Sequence, residues 1–142
     1  MATTRNAHAG WVGDLPTGAG QVTLDSSEIG SFDITWKARA EAAEGKTSPE
    51  ELIAAAHASC FAMAFSLFLG EEGKAADYVN TSAAVTFVPG AGITTSHLTL
   101  ATKIPGISQE DFDRIADAAK AGCPVSAALA GVEITLEATL EA

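Results

Sequence analysis

The chain has 142 residues, of which 47% are apolar and 18% are charged, and its formal net charge is −10. These values exclude a disordered chain and predict one folded, soluble domain over residues 1–142 with a sizeable buried core. The acidic balance argues against nucleic acid and an anionic membrane as partners, because both are polyanions that select basic surfaces. Met1–Gly10 lacks an apolar stretch, so no secretory signal is predicted and we expect a cytoplasmic protein.

The first part of the chain predicts three strands. Asn6–Asp14 and Gly20–Asp25 flank a segment rich in turn-forming residues, which indicates a connected pair. A third strand is predicted over Ser31–Arg39, because apolar and polar residues alternate along it. Its polar face would carry Lys37 and Arg39.

Residues 47–70 form the most informative segment and predict a helix of about 21 residues, roughly 32 Å long. Ser48 and Glu51 have the spacing of a capping box, in which the glutamate folds back to the serine amide. Pro49 suits the first helical position, and Gly70 is the predicted stop.

This predicted helix is apolar on every side, so other groups must surround it. Its length raises the question of a membrane span. The high alanine content, the interspersed His57, Ser59 and Cys60, and the absence of a flanking basic cluster favour a buried helix instead. One domain of this size has difficulty enclosing such a helix, so a second copy is expected to cover part of it and a homodimer is predicted.

The rest of the chain predicts further strands and two helices. The strands are Thr81–Val88, Ile93–Ile104 and Val132–Leu140, and the helices are Ser108–Ala121 and a short one over residues 123–130. Strands cluster before and after the helices instead of alternating with them. This order is typical of an α+β fold with antiparallel sheets.

Cys60 and Cys123 are too few for a disulfide scaffold, so they are either core filling or redox groups. A peroxide-reducing thiol needs a thiolate, a cation to stabilise it and a second thiol. Burial raises the pKa of a thiol, so a positive group must offset the surroundings of Cys60. Arg39 is the best candidate among eight Lys and Arg residues, and Glu50, which the capping box leaves free, could hold it in a bidentate pair.

Alternatives stay open at this point. Arg39 could be a surface charge, and the two adjacent glutamates could simply complement the helix dipole, because spacing does not decide between these roles. Cys123 precedes Pro124 at a predicted helix N-terminus, which lowers a thiol pKa, so it looks the more reactive thiol. His57, one turn before Cys60, is a base, a metal ligand or a hydrogen-bonded core residue.

Two segments together resemble a known family. Residues 48–61, with the sequence SPEELIAAAHASCF, and residues 121–126, AGCPVS, are similar to the two signatures of the osmotically inducible protein C (OsmC) and organic hydroperoxide resistance (Ohr) superfamily. The resemblance implies an intertwined homodimer with an active site at the subunit interface. It also implies reduction of organic hydroperoxides, and of hydrogen peroxide, in oxidative and osmotic stress defence.

The resemblance also implies roles for individual residues. Cys60 matches the peroxidatic cysteine, Cys123 the resolving cysteine, and Glu50 the glutamate that holds a catalytic arginine. In the OsmC branch that arginine follows the third strand, where Arg39 fits. In the Ohr branch it lies near the second strand, where residues 16–20 contain no arginine.

The predicted reaction needs no metal, haem or flavin, and an external dithiol, for example of lipoyl type, would reduce the enzyme. Apolar neighbours of Cys60, namely Phe61, Met63 and Phe65, should favour peroxides with hydrophobic tails. A non-catalytic binder of apolar small molecules in the dimer cleft is the alternative. A metal site formed by His57, Cys60 and Cys123 is a weaker one.

Overall fold

The computed structural model describes residues 1–142. The chain divides into two compact units, Met1–Leu52 and Ile53–Ala142. The prediction of one domain over residues 1–142 stays a prediction.

The first unit contains a three-stranded antiparallel sheet in the order β1-β2-β3. Its strands are β1 (Ala7–Val12), β2 (Ala19–Leu24) and β3 (Ser31–Ile34). The first two lie where the sequence predicts them, with slightly different ends.

The predicted third strand is wrong beyond Ile34, because a short helix, α1 (Trp36–Ala40), replaces its second half. Thr35 has extended backbone geometry and caps this helix, since its hydroxyl accepts a hydrogen bond from the Ala38 amide at 3.1 Å. Arg39 therefore projects from the last turn of a helix and not from the polar face of a strand.

The first unit has no apolar core of its own. Glu50 is its one buried residue, and every residue of β1 is exposed. Large apolar side chains remain open to solvent, including Val12, which is 81% exposed, and Phe32, which is 41% exposed. A three-stranded sheet that buries neither face is marginal by itself.

A long helix, α2 (Pro49–Glu71), begins in the first unit and continues into the second. The Ser48 hydroxyl accepts from the Glu51 amide at 3.1 Å, as the capping box predicts, but the Glu51 carboxylate accepts from the Thr47 hydroxyl at 2.6 Å. The chain leaves the helix through Gly73, whose φ of +68° is left-handed, so the predicted stop at Gly70 is three residues early.

One side of α2 lies in the core of the second unit. Phe61 and Phe65 are fully buried there, whereas Met63 and Leu67 are 67% and 61% exposed. By length and composition alone, α2 could cross a membrane. The predicted enclosure of α2 on every side is not found in the single chain.

The second unit contains a mixed three-stranded sheet in the order β4-β5-β6. Its elements are β4 (Tyr78–Val88), β5 (Gly92–Lys103), α3 (Gln109–Gly122), α4 (Pro124–Ala128) and β6 (Glu133–Leu140). Strands β4 and β5 are antiparallel, but β5 and β6 are parallel, so the prediction of purely antiparallel sheets is wrong. The two helices between β5 and β6 supply the long connection that parallel neighbours need. The α+β class is correct.

The core of the second unit is built by α2, β5 and α3. The buried positions of β5 and α3 include Leu98, Leu100 and Phe112. The rings of Phe65 and Phe112 meet edge to face, with centroids 6.1 Å apart. Cys123, at the end of α3, belongs to the same buried cluster, so the core itself positions one of the two thiols.

Candidate active site

The two cysteines lie in direct contact in the second unit. Cys60 Sγ is 3.0 Å from Cys123 Sγ, although the residues are 63 positions apart. Both are free thiols, since a disulfide bond would be about 2.05 Å long. Cys123 is fully buried and Cys60 is partly exposed, so Cys123 is the deeper thiol.

The junction between α3 and α4 places Cys123. The residue ends one helix and begins the next, because its amide donates to the Ala119 carbonyl at 2.9 Å and Pro124 follows at the first position of α4. A side chain at Gly122 would meet the Phe68 ring of α2 at 2.7 Å. Glycine at this position therefore allows the end of α3 to approach α2 closely.

The two thiols differ in acidity. Burial, followed by the hydrogen bond to Cys123, raises the pKa of Cys60. Burial alone would raise the pKa of Cys123 too, but hydrogen bonds from Cys60, from the Ser126 amide and hydroxyl and from the Val125 amide lower it overall. Cys60 is therefore the weaker acid of the two thiols. A nearby cation would lower the pKa of its thiol.

Arg39 and Glu50 form an ion pair in the first unit. The Arg39 Nη2 atom donates to Glu50 Oε1 at 2.8 Å, and its Nε atom lies 3.1 and 3.2 Å from the two carboxylate oxygens. The Glu50 side chain is only 8% exposed and that of Arg39 is 31% exposed. This bidentate geometry fixes the direction of the guanidinium, as a point charge on lysine could not.

A cavity of about 290 Å³ opens beside Arg39 in the first unit. It is lined mainly by apolar side chains, namely Trp11, Leu15, Ile34, Trp36 and Pro49, with Thr35, Arg39 and Thr47. Sequence reasoning missed this cavity and assigned substrate contacts to Phe61, Met63 and Phe65 instead. Phe61 and Phe65 are fully buried in the core and cannot contact a substrate. The chain has only two tryptophans and both line the cavity, so these rare residues were the sequence signal that could have indicated it.

His57 is fully buried and has a serine hydroxyl at each ring nitrogen. Its Nδ1 atom is 2.7 Å from Ser96 Oγ, and its Nε2 atom is 2.8 Å from Ser126 Oγ. Burial lowers the pKa of His57, which favours the neutral form of the ring. Of the roles that the sequence left open, the hydrogen-bonded core residue is the one that this geometry fits. No group of three or more His, Cys, Asp or Glu side chains is placed to hold a metal ion.

The sequence features and the fold together define a family. Residues 41–137 match the family model described as "OsmC-like protein", and the chain belongs to that family, which confirms the resemblance. Over 144 residues the chain is 41% identical to the peroxiredoxin OsmC of Escherichia coli (strain K12), and 99% of each chain is covered.

Solved structures of this superfamily have the same fold. The organic hydroperoxide resistance protein OhrB of Bacillus subtilis matches with a TM-score of 0.65 and 25% identity, covering 94% of this chain and 98% of its own. An OsmC-like protein from Mycoplasma pneumoniae matches with a TM-score of 0.74, covering all of both chains. The identity to the latter is 15%, so that likeness concerns the fold alone.

Proposed function

We propose that this protein is a thiol-dependent peroxidase that reduces organic hydroperoxides, and also hydrogen peroxide, in oxidative stress defence. The contact of two free sulfurs at 3.0 Å is the observation that carries this function. A relative named peroxiredoxin that spans nearly the whole chain supports peroxidase activity in general. The neighbour named for organic hydroperoxide resistance supports the substrate class. A reducing cytoplasm would keep both thiols free before each turnover.

The reaction has three balanced steps. The Cys60 thiolate attacks the distal peroxide oxygen; an S–O bond forms, the O–O bond breaks, and the alkoxide leaves and takes a proton. Cys123 then attacks the sulfur of the Cys60 sulfenic acid, which forms a disulfide and releases water. An external dithiol, for which a lipoyl group is our proposal, regenerates both thiols by exchange. None of these steps requires a metal, haem or flavin.

Arg39, held by Glu50, supplies the missing cation. A guanidinium beside Cys60 would favour the thiolate over the thiol and would polarise the peroxide oxygen. Glu50 and Cys60 are ten residues apart on α2, which corresponds to about 15 Å along the helix axis. We therefore propose that the ion pair of one copy acts on the thiols of a second copy.

A two-fold axis satisfies this requirement. Halfway between Glu50 and Cys60 lies Ala55, and both Ala55 and Ala56 are exposed and small enough for two helices to approach closely. If two α2 helices cross antiparallel there, Glu50 of each copy lies level with Cys60 of the other. A symmetric dimer would thus have two equivalent sites.

The exposed apolar side chains support a second copy as the cover. Val12 and Phe32 of the first sheet are exposed, as are Met63 and Leu67 of α2. Monomeric proteins rarely leave several such groups uncovered, and an obligate dimer buries them. The homodimer is part of this proposal.

The apolar cavity beside Arg39 suits the body of an organic hydroperoxide, with its polar group at the guanidinium. We expect Trp36→Ala to lower kcat/KM for cumene hydroperoxide about tenfold and that for hydrogen peroxide less than about twofold, since only the larger substrate contacts the indole. Steady-state kinetics with both peroxides measure this difference. Equal losses for the two substrates would contradict the assignment of the cavity.

The function itself is tested by peroxide consumption with dithiothreitol or dihydrolipoamide as the reductant. The Arg39→Lys variant is expected to be slower by about 10²-fold, because an ammonium cannot form the planar pair with Glu50. Lys37→Arg, at an exposed position of the same helix, is the matched control and should keep full activity. A wild-type protein that consumes no peroxide would exclude the proposed function.

A binder of apolar small molecules is the second candidate, because the cavity is mostly apolar and lies next to a single cation. A co-purified apolar ligand together with no peroxide turnover would favour this candidate over the peroxidase.

A further inference from the structure

The buried chain of hydroxyl and imidazole groups around His57 ends beside one of the proposed reactive sulfurs. Ser96 of β5, His57 of α2 and Ser126 of α4 are all buried, and His57 bonds to both serines at 2.7 and 2.8 Å. Ser126 lies three residues after Cys123, in the first turn of the helix that Cys123 caps. Three separate elements of the second unit thus converge on one buried hydrogen-bond network, whose Ser126 end lies on the helix that begins at Cys123.

Only one direction of the hydrogen bonds in this network leaves a hydroxyl proton available for the Cys123 sulfur. A neutral imidazole has one N–H donor and one acceptor nitrogen. If the Ser96 hydroxyl donates to Nδ1, the Nε2 hydrogen donates to the Ser126 oxygen, and the Ser126 hydroxyl hydrogen remains free to point at the Cys123 sulfur. In the opposite tautomer, Ser126 would donate to His57 and have no proton for the sulfur.

We infer that His57 and Ser126 are positioning residues for the resolving step: the imidazole orients the Ser126 hydroxyl so that it donates to Cys123 and holds that sulfur as the thiolate. This inference rests on the proposed peroxidase function. The thiolate then attacks the Cys60 sulfenic acid; the S–S bond forms, the S–O bond breaks, and the hydroxide leaves with the proton that Cys123 had released. The lowered pKa of Cys123, to which the Ser126 hydroxyl contributes, is consistent with this arrangement.

Two titratable groups of α2 affect Cys123, namely Cys60 in direct contact and His57 through Ser126. The test therefore uses a Cys60→Ser background, in which one thiol remains and its titration is followed by thiolate absorbance at 240 nm. We expect Ser126→Ala in this background to raise the pKa of Cys123 by about one unit, which lowers the thiolate fraction near neutral pH about tenfold. This measurement requires no peroxidase activity.

The second readout separates the two chemical steps in a chain with both cysteines. After one equivalent of peroxide, Ser126→Ala should form the Cys60 sulfenic acid at nearly the wild-type rate but close the disulfide about tenfold more slowly. Ser82→Ala, which removes an exposed hydroxyl bonded to Thr99, is the matched control and should change neither rate. Failure of the first step in the wild type would refute the peroxidase function, not the network.

Substitutions of His57 test whether the imidazole orients the Ser126 hydroxyl or only fills space in the core. Glutamine also has one donor and one acceptor end, so His57→Gln should keep the pKa of Cys123 within about 0.3 units of wild type, whereas His57→Leu should match Ser126→Ala. If His57→Leu does not fold, Ser126→Ala and His57→Gln still decide the matter. A Cys123 titration in Ser126→Ala equal to that of the Ser82→Ala control, or a His57→Gln variant as impaired as Ser126→Ala, would overturn the inference.

Discussion

Replacement of Cys60 by serine is expected to reduce peroxide consumption about 10³-fold or more, because a serine hydroxyl at neutral pH is neither ionised nor redox active. The measurement is steady-state consumption of cumene hydroperoxide with dithiothreitol, on protein whose fold is verified by circular dichroism. The partly exposed position of Cys60 makes it the thiol that a peroxide can reach, whereas Cys123 is fully buried.

Cys123→Ser is the matched control for this experiment. It should consume one equivalent of peroxide to form the Cys60 sulfenic acid and about one more to oxidise it to the sulfinic acid, and then stop, because no internal thiol resolves the sulfenic acid. Mass spectrometry of the intact protein would show the added oxygen atoms. If Cys60→Ser keeps full activity, or if Cys123→Ser loses even the first turnover, the roles of the two thiols are assigned incorrectly.

Two inactive variants should restore each other when they share a dimer. Arg39→Ala lacks the cation and Cys60→Ser lacks the attacking sulfur, so each alone is expected to lose at least about 10²-fold in rate. In a mixed dimer, the Cys60 of the Arg39→Ala copy would face the intact Arg39 of the Cys60→Ser copy. Random co-assembly places half of the dimers in mixed form with one complete site each, so about a quarter of wild-type activity should return.

Co-expression of the two variants with different affinity tags isolates the mixed dimer, which has one complete site of two and should therefore show about half of the wild-type activity. As a control, the double variant Arg39→Ala/Cys60→Ser is co-expressed with wild type. This variant supplies neither the cation nor the sulfur, so the peroxidase activity should come only from dimers of two wild-type copies. A mixed dimer as inactive as its parents would show that cation and sulfur act within one chain. It would refute the antiparallel arrangement of α2 helices around Ala55.

The helices and the faces of the strands could be predicted because their signals are local. Ser108 caps α3 with its hydroxyl at 3.1 Å from the Asp111 amide, as the sequence indicates. The alternation along β6 likewise matches its burial pattern. Trp36–Ala40 was predicted wrongly because its residues alternate as a strand does, and only the cap at Thr35 distinguishes the helix.

Strand pairing and contacts between residues distant in the sequence could not be predicted from local patterns. Side chains alternate with the same period in parallel and antiparallel strands, so the pairing of β5 with β6 could not be deduced from alternation. The contact between Cys60 and Cys123 was expected from the resemblance alone, since spacing says nothing about residues 63 positions apart. The His57–Ser126 bond joins residues 69 positions apart, and no motif pointed to it.

The separation of Cys60 and Cys123 along the chain links catalysis to resistance against unfolding. In the proposed cycle, each turnover would transiently close a covalent ring over the 63 positions between them, which would remove loop entropy from the unfolded chain and favour the native state by about 4 kcal/mol. The sulfurs are already in contact, so little of this gain is lost to distortion. Under the proposed mechanism we therefore expect residues 53–142 to resist unfolding most just after a peroxide has been reduced, and to lose this stabilisation when the reductant opens the disulfide.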